Sequence, residues 1–194
     1  MAMVNIHTHR PRSDERSIVT VGLHPYDADR ANDMPDCVNI GEEVDGIGEI
    51  GLDYACTVGR EVQQRVFEEQ LAVAERLRLP IVVHCVRAFD AVMRTLARYR
   101  LKAVIFHGFI GSTEQMRQAV EAGCYLSFGE RTFASPKTME ALRHTPHDRI
   151  FVETDDSDTP IAEIYKRTAE VLAIDTALLE RITNENYDRI FKDR

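Results

Sequence analysis

The stretch Val44-Asp45-Gly46-Ile47-Gly48-Glu49-Ile50-Gly51-Leu52-Asp53 decides the fold. It reads as a strand that carries one carboxylate, Glu49, to its exit between two glycines. Glycine weakens a strand, and Gly48 and Gly51 suit a place where another group must come close. Other apolar runs end in residues of the same chemistry. Val4-Asn5-Ile6 leads into His7-Thr8-His9, Ile81-Val82-Val83 into His84, Ala103-Val104-Ile105-Phe106 into His107, and Arg149-Ile150-Phe151-Val152-Glu153 into Thr154-Asp155. One carboxylate among imidazoles and a second carboxylate is the ligand set of a divalent metal site.

Between these strands the apolar period changes to that of helices. Val62, Val66, Phe67, Leu71, Ala74 and Leu77 predict an amphipathic helix over Arg60 to Arg78, broken by Leu79-Pro80. Phe89, Val92, Met93 and Leu96 line a second. Ser112 with Gln115 forms a capping box, with Gly123 at the matching helix end. Ser135-Pro136 opens another helix, and Thr159-Pro160 and Asp175 open two closing ones. Strands alternating with helices at this rhythm indicate parallel β/α units. Every candidate ligand sits at the C-terminal end of its strand, the catalytic face of a TIM-type (β/α) barrel. A doubly wound sheet would gather its site at one switch point instead.

The barrel is expected to be truncated or incompletely closed, with about seven parallel strands rather than eight. Ile18 to Gly22 is read as the second strand. Only Arg10 to Ser17 separate it from the first, whereas a parallel crossover usually needs about a dozen residues or more. That loop is expected to span the gap. The 194 residues are read as a single domain with a full core.

Composition removes several classes of function. There is no run of about 20 apolar residues, so no membrane helix is expected, and a cytoplasmic protein is the default. Cys37, Cys56, Cys85 and Cys124 lie far apart without a CxxC pair and read as reduced thiols. A formal net charge of −8 argues against holding long nucleic acid by general electrostatics, though it leaves a nuclease open.

Five of the 7 histidines, His7, His9, His24, His84 and His107, fall at strand exits. His144 and His147 precede a strand and read as surface residues. Four histidines with Glu49 and Asp155 exceed one tetrahedral centre, so two divalent metals, Zn, Mg or Mn, are the natural count. Such metals lower the pKa of a bound water, while a carboxylate takes its proton. Asp155 and Glu49 are the catalytic carboxylates on this reading. A phosphate ester is the expected substrate, with Arg10, Arg12, Arg87 and Arg131 on loops suited to clamping phosphate oxygens and His24 as a further substrate contact.

These motifs resemble the TatD family of metal-dependent hydrolases, within the amidohydrolase-type barrels. The resemblance rests on Asn5-Ile6-His7-Thr8-His9, Gly22-Leu23-His24-Pro25, Ile47 to Asp53, Leu79 to His84, Phe106-His107-Gly108-Phe109, Val152 to Asp155 and the tail Asn184 to Phe191. It implies that His7, His9, Glu49 and Asp155 hold one metal and Glu49, His84 and His107 the other. It also implies deoxyribonuclease activity on DNA; hydrolysis of a small phosphate ester, lactone or amide in the same site is the alternative. A metal-binding protein without catalysis is a third reading, disfavoured because all six ligands are present. The sequence departs from the family at Asn5, where Asp is usual, at Arg87, displaced by one position, at Gly108 to Gly111, and at the acidic Asp156-Ser157-Asp158.

Overall fold

The computed structural model describes residues 2–33 and 44–192; Cys37 and most of the polar approach to the Glu49 strand lie outside them. In chain order the strands and helices are β1 (Met3–Val4), β2 (Glu15–Arg16), β3 (Thr20–Val21), β4 (Gly46–Asp53), α1 (Arg60–Leu77), β5 (Ile81–Val86), α2 (Phe89–Leu96), β6 (Val104–Phe106), α3 (Thr113–Glu121), β7 (Tyr125–Phe128), α4 (Pro136–His144), β8 (Ile150–Val152), α5 (Ile161–Leu172) and α6 (Thr176–Phe191). Among the described residues the strand pairings within each unit are parallel. The chain divides into two compact units, one of Ile18–Phe106 and one of Met1–Ser17 with His107–Arg194.

In the first unit β3, β4, β5 and β6 pair in sequence order. α1 packs on β4 through Val66, Phe67, Leu71 and Ala74, all essentially without solvent exposure. Two buried glutamines on the same face give α1 a second task. Gln63 accepts from Asp53 N–H and donates to the Asp53 carbonyl, at 2.7 and 2.9 Å. Gln70, two turns on, accepts from Leu23 N–H at 2.6 Å and donates to the Leu23 carbonyl at 3.1 Å. Paired bonds of this kind satisfy buried backbone groups that no ladder reaches. They also fix the backbone at Asp53 and immediately before His24.

In the second unit β7 pairs with β8 and β1 with β2. The Tyr165 hydroxyl on α5 donates to the Val4 carbonyl at 2.9 Å and accepts Val4 N–H at 3.0 Å. Burial pushes this phenol's pKa upward, and its bond to Thr183 opposes that only in part. Arg16 on β2 reaches Asn184 and Asp188 of α6 at 2.6 and 2.7 Å. Asn186 of α6 donates to the carbonyls of His147 and Ile150, both at 2.9 Å, and so holds the approach to β8. The terminal helix is thereby tied to β2 and to the strand that leads into Asp155.

Three helix starts follow the capping chemistry. Ser112 and Gln115 form both arms of the capping box of α3, Ser135 caps α4 with Pro136 in its first turn, and Asp175 caps α6. The strands differ more from expectation. The first strand ends at Val4, and the second shrinks to Thr20–Val21. The described residues contain eight strands rather than about seven. The additional one, Glu15–Arg16, lies inside the segment expected to be a plain spanning loop. Ten residues after Val4 suffice to bring it parallel to β1, in register Met3 to Glu15. The connection manages without a crossover helix because the strands pair over only two residues each.

Candidate metal and catalytic site

In the unit built on β3 to β6, three ligand atoms converge. His84 Nδ1 lies 3.6 Å from Glu49 Oε2, His24 Nε2 lies 3.8 Å from the same oxygen, and the two nitrogens are 3.2 Å apart. His24, expected as a substrate contact, thus stands with Glu49 and His84 in a group able to hold a metal ion. Behind His84 sits Asp53, 1% exposed, with Oδ2 at 2.9 Å from His84 Nε2. Its other oxygen accepts from the N–H groups of Ala55 and Cys56. Burial pushes the Asp53 carboxyl upward, but the His84 contact, the Ala55 N–H and the Tyr26 hydroxyl outweigh it and hold the pKa below the usual value. An ionised carboxylate only accepts, so His84 Nε2 carries the proton and Nδ1 is the nitrogen turned to Glu49 and His24.

The glycines in β4 have the role expected of them. A Cβ on Gly51 would lie 2.0 Å from the His84 carbonyl oxygen, and one on Gly48 would lie 2.7 Å from Val82 Cβ. Strands β4 and β5 can therefore run close enough to bring Glu49 and Asp53 to either side of the His84 ring.

In the other unit, His7 Nε2 and His9 Nε2 approach the same oxygen, Asp155 Oδ1, at 3.6 and 3.4 Å. The backbone sets this up. Asp155 N–H donates to the His7 carbonyl and His9 N–H to the Asp155 carbonyl, a parallel bridge centred on Thr8. Asp155 adopts a φ of 53°, a left-handed conformation uncommon for a residue other than glycine. The His7 and His107 rings are 4.6 Å apart between centroids, and His107 Nδ1 is 3.5 Å from Glu153 Oε1. His107, Glu153 and Asp155 form a further potential ligand group.

Sequence reasoning passed over Asp53 and Glu153 as site residues. Asp53 has the same side-chain parity as Glu49 along the strand, a signal that was available. Glu153 is an acid directly after an apolar run, like the histidines. It is fully buried, accepts from Gly108 N–H at 2.7 Å through Oε1, and its Oε2 is a buried oxygen without a hydrogen-bond partner.

The donors suit a divalent ion. They are imidazole nitrogens and carboxylate oxygens, with the buried Glu153 Oε2 left without a bond. The thiol nearest in sequence, Cys85, has its pKa pushed up to about 12 by burial, so it offers no thiolate. Such a set suits Zn, Mg or Mn rather than a thiolate-selective ion.

The arginines read as a phosphate clamp are exposed and mostly engaged. Arg10 pairs with Asp158, Arg131 with Asp156 at 3.4 Å, and Arg12 with Asp14 at 3.7 Å. The two acids that depart from the family pattern are the partners of two of these arginines. Arg87 is exposed, with a φ of 52°. His144 and His147 are exposed, as expected of surface residues. Cys56, Cys85 and Cys124 are free thiols, and among the described residues no helix is long and apolar enough to cross a membrane.

A family model described as TatD related DNase matches residues 3–192. The chain belongs to the TatD family. An uncharacterized metal-dependent hydrolase of Bacillus subtilis, YabD, is 30% identical over 194 residues, covering 89% of this chain and 76% of that protein. A protein of Pectobacterium carotovorum described as the 3'-5' ssDNA/RNA exonuclease TatD is 28% identical, covering 89% of this chain and 77% of its own length. The crystal structure of a TatD family hydrolase from Entamoeba histolytica superposes with a TM-score of 0.80 at 16% identity, over 92% of this chain and 75% of that one. Its likeness shows the α/β barrel-type fold of the TatD proteins.

Proposed function

We propose that this TatD protein is a divalent-metal-dependent nuclease that hydrolyses phosphodiester bonds of DNA and takes single strands. The observation that supports it is the gathering of imidazole and carboxylate ligands in each unit: His24, Glu49 and His84 in one, and His7, His9, Asp155, His107 and Glu153 in the other. The names of relatives as metal-dependent hydrolase and ssDNA/RNA exonuclease point the same way. We assign one ion to each group, two in all, drawn from Zn, Mg or Mn. Divalent ions held there supply Lewis acidity toward water and an anionic phosphoryl oxygen.

The protein's own groups do the rest. His7 and His9 orient Asp155, whose backbone is locked by the Thr8 bridge. Asp155 accepts the proton of the attacking water as the new bond to phosphorus forms and the bond to the leaving sugar oxygen breaks. Asp53 keeps Nε2 of His84 protonated and aims its other nitrogen at Glu49. Glu49, with His24 and His84, would hold the ion of its own group.

The test combines metal removal with substitution, using end-labelled single-stranded DNA beside a panel of small phosphate esters. Chelation should abolish cleavage, and Mg, Mn or Zn should restore it. Asp155→Asn should lower kcat by about 10²–10⁴-fold, the usual effect of losing a general base, with little change in KM. Full activity in verified metal-free protein would end this reading. Turnover of small esters alone would move the substrate assignment away from DNA.

A further inference from the structure

Among the described residues four large hydrophobic side chains are exposed: Val19, Tyr26, Leu77 and Ile110. Two of them follow site histidines closely, Tyr26 two residues after His24 and Ile110 three after His107. Tyr26 is held in detail. Its N–H donates to His24 Nδ1 at 3.2 Å, and its ring meets the His24 ring edge-on at 4.4 Å and the His84 ring at 5.9 Å. Its hydroxyl bonds the buried carboxylate of Asp53. The ring is therefore fixed by its edge and by its hydroxyl, yet 54% of the residue remains exposed. A tyrosine present only to cover two histidines would gain by burying more of its surface.

The charge distribution makes such a ring useful. The net charge is −8, and Arg10, Arg12 and Arg131 each have an acidic neighbour that offsets their charge. A phosphate must compete with Asp158, Asp14 or Asp156 for them. Backbone electrostatics, the usual source of affinity for nucleic acid, is thus weakened in this chain. Stacking on an aromatic face needs no net charge and tolerates every base, but it requires the base to be out of a duplex.

We propose that Tyr26 is a stacking platform for an unpaired nucleobase of the substrate and determines the preference for single-stranded nucleic acid. This rests on the nuclease reading above. The phenol positions the base while its hydroxyl keeps the ring in register with Asp53 and His84. Three properties needed for this coincide in Tyr26: a fixed orientation, an exposure of 54% and direct contact with an imidazole of the His24, Glu49 and His84 group.

The experiment compares wild type, Tyr26→Ala, Tyr26→Phe and Tyr26→Trp, all metal-loaded. The substrates are a single-stranded oligonucleotide and the same backbone with abasic residues at its last three positions. Binding by fluorescence anisotropy and kcat and KM for cleavage are read separately. On the normal oligonucleotide Tyr26→Ala should raise Kd and KM about tenfold, the scale of losing one base–aromatic stack, a larger change than any in kcat. The Phe and Trp variants, which keep a ring, should stay within about threefold of wild type. On the abasic oligonucleotide wild type should already bind weakly, and the Ala variant should lose nothing more.

An unchanged KM for Tyr26→Ala on the normal oligonucleotide, in an enzyme that cleaves it, overturns the platform and leaves the nuclease reading standing. Equal losses on both oligonucleotides, or a loss in the Phe variant as large as in the Ala variant, would mean that Tyr26 acts through Asp53 and not through a base, and would also overturn it. Wild type that neither binds nor cleaves either oligonucleotide overturns both readings together.

Discussion

The side-chain amide of Asn5 donates to the carboxylate of Glu15 at 2.8 Å, and this bond explains the amide where the family usually has an acid. Asn5 is 1% exposed and also ties the 153–155 loop, accepting Thr154 N–H at 2.9 Å and donating to the Thr154 hydroxyl at 3.0 Å. An aspartate here would face Glu15 with no hydrogen to offer. We expect Asn5→Asp to cost on the order of 2–3 kcal/mol in urea unfolding, the scale of a buried bond to a charged group turned into a repulsion. Adding Glu15→Gln should recover most of it. A double variant no more stable than the single one would separate Asn5 from Glu15.

Asp53 sets which nitrogen of His84 faces Glu49. Asp53→Ala should therefore weaken the ion assigned to the His24, Glu49 and His84 group by about 10–100-fold, the range for losing a carboxylate behind a metal-binding histidine. Asp53→Asn should weaken it less, because an amide oxygen still accepts from Nε2. Calorimetric titration with Zn or Mn reads both. Equal affinities in wild type and Asp53→Ala would make the carboxylate structural only.

Gly51 combines a φ of 145° with a carbonyl oxygen 2.0 Å from where its Cβ would stand. Gly51→Ala must strain the backbone and push β5 away at His84. The expected loss is on the order of 3 kcal/mol, from the strained conformation and the overpacking together. Thermal unfolding measures it, and an alanine variant as stable as wild type would show that β4 and β5 part without cost.

Cys124 is 2% exposed, and burial pushes its pKa up to about 12 from an ordinary 9.0, with Arg149 opposing only slightly. The folded state favours the neutral thiol. Its contribution to stability is complete below about pH 9 and is lost as the pH rises toward 12, because only the unfolded chain ionises in that window. At pH 10 this is on the order of 1 kcal/mol. Urea unfolding at pH 8 and pH 10 should show a fall smaller by about that amount in Cys124→Ala. Equal falls would place the alkaline sensitivity in other groups.

The elements themselves were legible in the chain because their causes are local. The capping box of Ser112 and Gln115, the cap of Asp175 and the apolar face of α1 each act over a few residues, and each forms where the pattern places it. The ligand types at the strand exits were legible too, since an imidazole or carboxylate ending an apolar run is a local signal. What the sequence by itself could not determine depends on residues distant along the chain. The Glu15–Arg16 strand exists because Arg16 meets Asn184 and Asp188, a separation of 168 residues or more. Two arginines of the expected clamp, Arg10 and Arg131, stand beside acids distant in the chain, Asp158 being 148 positions from Arg10. Asp53 became the support of His84 only when β4 and β5 paired with glycine-narrow spacing. Short-range periodicity and capping free energies select elements before they meet. Which charge neutralises which, and which carboxylate orients which ring, is decided by distances that exist only after they pack.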